Sequence, residues 1–106
     1  MNDERTRMNL TFIKFGYSDD SPFPYGEPEG YAYCQDDSGN HFIFYGYAIP
    51  GFESFKLYPY DPSAGMPDVE NINWCKNYTR MHQSVPVALS RDSYIRVCTF
   101  LGAEPH

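Results

Sequence analysis

The chain has 106 residues and a formal net charge of −6, with 42% hydrophobic and 18% aromatic residues. This length suits one domain with its own core, and the high aromatic content excludes an intrinsically disordered chain. No apolar stretch approaches the length that crosses a bilayer, so binding to or insertion into a membrane is not expected.

We expect a frayed polar N-terminus over residues 1–8 and a single α+β domain over residues 9–106. The N-terminal residues lack the apolar segment of a signal peptide. The three cysteines are widely spaced and odd in number, so they do not predict a disulfide framework. These features predict a cytoplasmic protein, and the cytoplasm of a host cell is one such setting.

The first half of the chain is typical of antiparallel strands. Residues 10–17 are rich in β-branched and aromatic side chains, and residues 18–30 form a loop rich in proline, glycine and acids. Residues 31–35 and 41–48 then flank a turn in which Gly39 suits a left-handed position, so they predict a hairpin with a three-residue loop.

The register of this hairpin sorts its side chains into two sets, because side chains alternate between the faces of a strand. The tyrosine face would carry Tyr31, Tyr33, Ile43, Tyr45 and Tyr47. The opposite face would carry Ala32, Cys34, Phe42 and Phe44. Either set could form the core beneath a helix, and the sequence leaves that choice open.

The second half of the chain predicts one more strand, two helices and a short strand between them. Residues 52–58 form the strand, and Asp68 could cap a helix with Val69, Ile72, Cys75 and Thr79 on one side. Val85, Val87 and Leu89 alternate, with Pro86 restricting them to a sheet edge or a strand end. Ser90 is a good N-cap for a final helix that ends at Gly102. The predicted fold is α+β, with a three- to four-stranded antiparallel sheet, a C-terminal helix and a less defined helix.

Charge is distributed unevenly along the chain. Residues 15–55 hold seven carboxylates, no lysine or arginine, and twelve of the nineteen aromatic residues. If neighbouring strands pair in sequence, five of these acids meet at one end of the sheet: Asp19, Asp20, Glu27, Glu29 and Glu53. Asp36 and Asp37 would then lie at the opposite end.

Cysteine and histidine residues suggest two alternative kinds of site. Cys34 and His41 have the same spacing as Cys75 and His82, so the two pairs could supply a zinc site or a nucleophile with its base. The spacing matches no common zinc pattern, and nothing in the sequence orients either pair. The paired aspartates, Asp19-Asp20 and Asp36-Asp37, lie in predicted loops, where acids are usually solvated by water. We therefore expect no metal, no cofactor and no catalytic residue.

The tyrosine face and the acids together indicate a protein-binding surface. Tyrosine offers a large contact area at a low entropic cost, and acids attract a basic partner. The predicted contact residues are Tyr31, Tyr33, Tyr45, Tyr47, Asp19, Asp20, Glu27, Glu29 and Glu53. Direct nucleic-acid binding is not expected, because that affinity comes mainly from cationic contacts.

The sequence therefore predicts a small acidic non-catalytic module that binds and inhibits a larger basic protein or nucleoprotein complex. A nuclease, a nucleic-acid-binding complex and a toxin are candidate targets. Viral or phage anti-defence proteins and bacterial immunity proteins are settings suggested by composition alone. Two alternatives remain open at this point. One is a small enzyme that uses Cys34 or Cys75 with His41 or His82. The other is a structural subunit whose tyrosine face is a homodimer interface. The sequence leaves open whether the protein is a monomer or a homodimer.

Overall fold

The computed structural model describes residues 7–19, 28–49 and 51–105, which form an antiparallel sheet with a helix on each face. The elements in chain order are β1 (Leu10–Asp19), β2 (Glu29–Asp36), β3 (His41–Ile49), β4 (Phe52–Pro59), α1 (Ile72–Met81), β5 (Val85–Pro86) and α2 (Arg91–Leu101). A short 3-10 turn, Pro62–Ala64, lies between β4 and α1.

The sheet of the described residues has five strands in the order β1-β2-β3-β4-β5, so the predicted count of three or four strands is wrong. The α+β class is right. The additional member is β5, which pairs with β4 through only two residues, Val85 and Pro86. Proline has no N–H to donate, which confines this strand to the sheet edge. The sequence predicted a short strand at this place but did not count it in the sheet, and the structure pairs it with β4.

The β2–β3 hairpin has the predicted register and turn. Tyr31 lies opposite Tyr45, and Tyr33 lies opposite Ile43. Gly39 has a φ of 84°, and its N–H donates to the Asp36 carbonyl at 3.1 Å. The Asp36 carboxylate also accepts from the Asn40 N–H at 2.9 Å. These local bonds fix the loop length, and the loop length fixes which side chains share a face.

Both faces of the sheet belong to the core. The face opposite the tyrosine face carries Phe42 and Phe44, and we call it the phenylalanine face. There, α2 places Val97 and Leu101 against Ala32, Cys34, Phe44 and Leu57. On the tyrosine face, the segment from Val69 to α1 places Val69 and Cys75 against Tyr31, Tyr33, Ile43 and Tyr58. The sheet is therefore the middle of three layers, and the choice that the sequence left open is resolved as burial on both sides.

The two helices differ in how well their starts were predicted. Helix α2 begins at the expected cap, where the Ser90 hydroxyl accepts from the Ser93 N–H, and it ends at Gly102 with a φ of 72°. The predicted cap of α1, Asp68, is wrong, because the cap is Asn71. The Tyr17 N–H donates to the Val69 carbonyl at 2.7 Å, which ties Val69 to β1. The helix therefore starts only after that contact.

Arg7 and Met8 are hydrogen-bonded to the segment that precedes α2. The Met8 N–H donates to the Ala88 carbonyl at 2.8 Å, and the Ser90 N–H donates to the Met8 carbonyl at 2.8 Å. The Arg7 guanidinium donates to the Leu89 carbonyl. These bonds join both residues to the start of α2. Residues 1–6 of the predicted frayed N-terminus lie outside the described part of the chain.

The close contact between β1 and Val69 depends on Gly16. A Cβ atom at this position would lie 2.1 Å from the Val69 carbonyl oxygen, which is a backbone atom that cannot move independently. We expect Gly16→Ala to lower the free energy of unfolding by about 2–3 kcal/mol, because β1 and the Val69 segment must separate. Urea denaturation measures this loss. Thr11→Ala, at an exposed site of the same strand, is the control, with an expected loss below about 1 kcal/mol.

Candidate functional site

Three acids, Asp19, Glu29 and Glu53, lie at the end of the sheet where β1 and β3 end and β2 and β4 begin. Asp19 lies opposite Glu29 in the sheet, Glu29 lies opposite Tyr47, and Glu53 lies opposite Ala48. Each strand pairs with the next one in the chain, so these strand ends lie side by side at one end of the sheet and bring the three acids to that end. Asp20 and Glu27, which were predicted to join them, lie outside the described residues.

We call this region the acidic end and define it by Asp19, Glu29, Tyr45, Tyr47, Ile49, Phe52 and Glu53. Two of its carboxylates accept hydrogen bonds from tyrosines on opposite faces of the sheet. The Tyr45 hydroxyl donates to Glu29 at 2.8 Å on the tyrosine face. The Tyr94 hydroxyl, from α2, donates to Glu53 at 2.6 Å on the other face. These bonds restrict the side-chain conformations of the two carboxylates.

The four predicted contact tyrosines divide into two pairs. Tyr31 and Tyr33 lie beneath α1 and are only 6% and 5% exposed, so they offer almost no contact area. Burial raises the pKa of Tyr31 to about 12. Tyr45 and Tyr47 belong to the acidic end and remain half-buried. The tyrosine surface available to a partner is therefore the Tyr45–Tyr47 part, beside Glu29.

Two apolar residues of the acidic end were not among the predicted contact residues. Phe52 is 56% exposed and Ile49 is 36% exposed, and they lie opposite each other next to the β3–β4 turn. The Phe52 ring packs edge-on against Tyr47, with ring centres 5.9 Å apart. The available sequence signal was the pair of large apolar residues on either side of Pro50-Gly51. Turn tips are usually polar, so this pattern departs from the norm.

The cysteine and histidine residues form neither of the pairs considered above. Cys34 is fully buried on the α2 side, while His41 lies on the tyrosine face, with its Nδ1 atom 2.6 Å from the Tyr33 hydroxyl. Burial raises the pKa of the Cys34 thiol to about 12. A thiol in that state is a poor nucleophile and a poor metal ligand at neutral pH.

The second pair is also divided. The Cys75 thiol is buried and donates to the Val69 carbonyl at 3.3 Å, and burial raises its pKa to about 12. His82 instead stacks on the Tyr78 ring, with centres 3.9 Å apart. Within residues 7–19, 28–49 and 51–105, no three His, Cys, Asp or Glu side chains are grouped so that they could hold a metal ion. The structure therefore brings together neither Cys34 with His41 nor Cys75 with His82.

Comparison of the chain with protein-family models, curated proteins and solved structures found no match. In the part of the chain that the structure describes, neither helix combines the length and apolarity needed to span a membrane.

Proposed function

We propose that this protein is a small acidic non-catalytic module that binds a larger basic protein through its acidic end and inhibits it. The observation that carries the proposal is the exposed Phe52 and Ile49 pair beside Tyr47. Glu29 lies opposite Tyr47 on the same face of the sheet, and Glu53 follows Phe52 and points to the other face. A large exposed apolar side chain is informative when it belongs to a cluster with a polar rim, because such patches mark binding sites.

The two components of this surface have different roles in binding. Burial of the Phe52, Ile49 and Tyr47 side chains at the centre of a contact supplies affinity, because hot spots are desolvated aromatic and apolar anchors. The carboxylates at the rim supply long-range attraction to a positive surface, which raises the association rate. An apolar centre bordered by several carboxylates favours a basic protein over a neutral one.

The four basic residues of the two helices do not form one nucleic-acid surface. Lys76 and Arg80 belong to α1, whereas Arg91 and Arg96 belong to α2. The two helices cover opposite faces of the sheet, so these cations do not share a stripe. Nucleic-acid affinity depends on several cations that contact one phosphate backbone together. The proposed partner, in contrast, is a nuclease, a nucleic-acid-binding complex or a toxin.

Charge also disfavours a homodimer through this surface. A two-fold contact at the acidic end would bring the same patch of each copy together. The carboxylates of both copies would then face each other, and like charges across an interface are repulsive. We therefore propose a monomer in the cytoplasm, of the viral anti-defence or immunity-protein kind, whose partner is a different and basic chain.

Affinity capture with matched variants tests the proposal. Immobilised wild-type protein should retain a basic protein at low salt and release it at high salt. Phe52→Ser, an exposed substitution, should weaken retention at least about tenfold if the ring is a hot spot. Asp37→Lys changes a charge at the opposite end of the sheet and should retain the partner as wild type does. Equal retention by the Phe52 and Asp37 variants, or no retained protein, would contradict the proposal.

Once the partner is purified, the rim is tested by kinetics. We expect the double variant Asp19→Asn, Glu29→Gln to associate several-fold more slowly and with a weaker salt dependence, because it lacks two steering charges. Glutamine keeps an acceptor for the Tyr45 hydroxyl, so the local fold is retained. Stopped-flow association at several salt concentrations measures both effects. An unchanged rate and salt slope would mean that these acids only solvate the surface.

A further inference from the structure

A groove lies beside the acidic end, on the α2 side of the sheet. It has a volume of about 340 Å³ and runs between the end of β3, the start of β4 and the residues that follow α2. Its walls are mostly apolar and include Pro28, Ala48, Ile49 and Ala103. Ile49 also belongs to the acidic end, so the groove continues directly from the proposed contact surface.

Negative charge is concentrated at this groove. Glu53 and Glu104 are the ionisable residues among the described residues that line it, and no lysine, arginine or histidine is among them. The groove also lies at the C-terminal end of α2, where the helix dipole adds partial negative charge. Arg91 has its guanidinium carbon 5.6 Å from the Tyr94 ring centre and does not line the groove.

The groove is held in shape by bonds that do not require a ligand. The Gly102 N–H donates to the Thr99 carbonyl at 3.3 Å, and the Ala103 N–H donates to the Cys98 carbonyl at 2.9 Å. These bonds close the end of α2 and direct the following residues across the strand ends. The Tyr94 hydroxyl restricts the Glu53 carboxylate from the side of the helix. A cation would meet a wall that is already organised, which lowers the cost of binding.

We propose that this groove receives an arginine side chain of the basic partner, an inference that rests on the proposed function. The apolar walls match the aliphatic stem of arginine, and the two carboxylates match its cationic head. Arginine is favoured over lysine because its guanidinium is less strongly hydrated and pairs with carboxylates in a planar geometry. Arginine is also enriched in protein interfaces, whereas lysine is depleted.

The inference can be tested without knowing the partner. The amide resonances of the full chain, labelled with nitrogen-15, are followed while Nα-acetylarginine amide is added at low salt. We expect saturable shifts at the groove residues Ala48, Gly102 and Ala103, and weaker binding of Nα-acetyllysine amide. Nα-acetylnorleucine amide, which has an apolar side chain without charge, is the control for the stem alone. Asp37→Asn is the control for general loss of acidic charge.

Two variants locate the site. Glu53→Gln keeps an acceptor for the Tyr94 hydroxyl, and Glu104→Gln changes an exposed side chain. Each should weaken arginine amide binding about threefold to fivefold, as expected for loss of one exposed or half-exposed carboxylate, while Asp37→Asn should not. Shifts that are absent, spread over the surface, or equal for the norleucine amide would overturn the inference. Capture of a basic protein together with such a result would overturn only the groove and leave the proposed function intact. Arginine binding without a captured protein would support the groove and count against the proposed function.

Discussion

Replacing Phe44 by alanine is expected to lower the free energy of unfolding by about 3–5 kcal/mol, a large part of the roughly 5–15 kcal/mol of a typical domain. Phe44 is fully buried in β3 on the α2 side of the sheet. Its ring packs edge-on against Phe12, with centres 5.7 Å apart, and lies 5.8 Å from the Phe55 ring. Alanine removes these contacts and leaves a cavity between the sheet and α2 that neighbours fill only in part.

Urea denaturation followed by the fluorescence of Trp74 measures this loss. The control is Phe52→Ala, the same chemical change at a side chain that is 56% exposed, with an expected change below about 0.5 kcal/mol. Phe44→Leu is a milder variant, expected to cost about 1–2 kcal/mol, which keeps the test informative if the alanine variant does not fold. Equal losses at Phe44 and Phe52 would contradict the placement of the phenylalanine face beneath α2.

Alkaline pH is expected to destabilise the protein steeply. Burial raises the pKa of both Cys34 and Cys75 from 9.0 to about 12, and that of Tyr31 from 10.0 to about 12. The unfolded chain releases these protons at the lower values, so rising pH favours unfolding. The stability contributed by the protonated thiols is fully present below pH 9 and is lost between pH 9 and 12. By pH 11 each thiol accounts for a loss of about 2–3 kcal/mol.

The midpoint of urea unfolding measured from pH 7 to 11 tests this expectation. Cys34→Ala removes one of the groups, so its stability should fall between pH 9 and 11 by about 2–3 kcal/mol less than that of the wild type. The change in the free energy of unfolding with pH is compared between the two proteins, so any cost of the substitution that does not depend on pH cancels. Identical pH dependence in the two proteins would show that the Cys34 thiol titrates normally, which is inconsistent with its position between the sheet and α2.

Local chemistry made several parts of this fold predictable. The β2–β3 turn is specified by Asp36 and Gly39, whose bonds lie within the loop itself. Helix α2 is bounded by Ser90 and Gly102, each of which acts within one turn of the helix end. In contrast, the start of α1 was misplaced because it depends on Val69 and Tyr17, which are distant in sequence.

The candidate site was predictable only in part, for a related reason. Alternation along the strands correctly placed Tyr45 and Tyr47 on one face, and the pairing of consecutive strands brought Asp19, Glu29 and Glu53 to one end. Alternation cannot show that α1 covers Tyr31 and Tyr33 while leaving the Tyr45–Tyr47 part half-exposed. The binding role of these residues stays a prediction, and the buried pair contributes to the core.

The sequence by itself determined the α+β class, the hairpin register, the limits of α2 and the position of Asp19, Glu29 and Glu53 at one end of the sheet. Turn and cap chemistry and strand alternation act over a few residues, and consecutive strands pair with each other. Tertiary structure alone decided that the sheet is buried on both faces and that the predicted short strand pairs with β4 as the fifth strand. It also decided that Phe52 and Ile49 stay exposed and that a groove opens between β3, β4 and the end of α2. These features depend on which distant segments exclude water from one another, a property that no local pattern encodes.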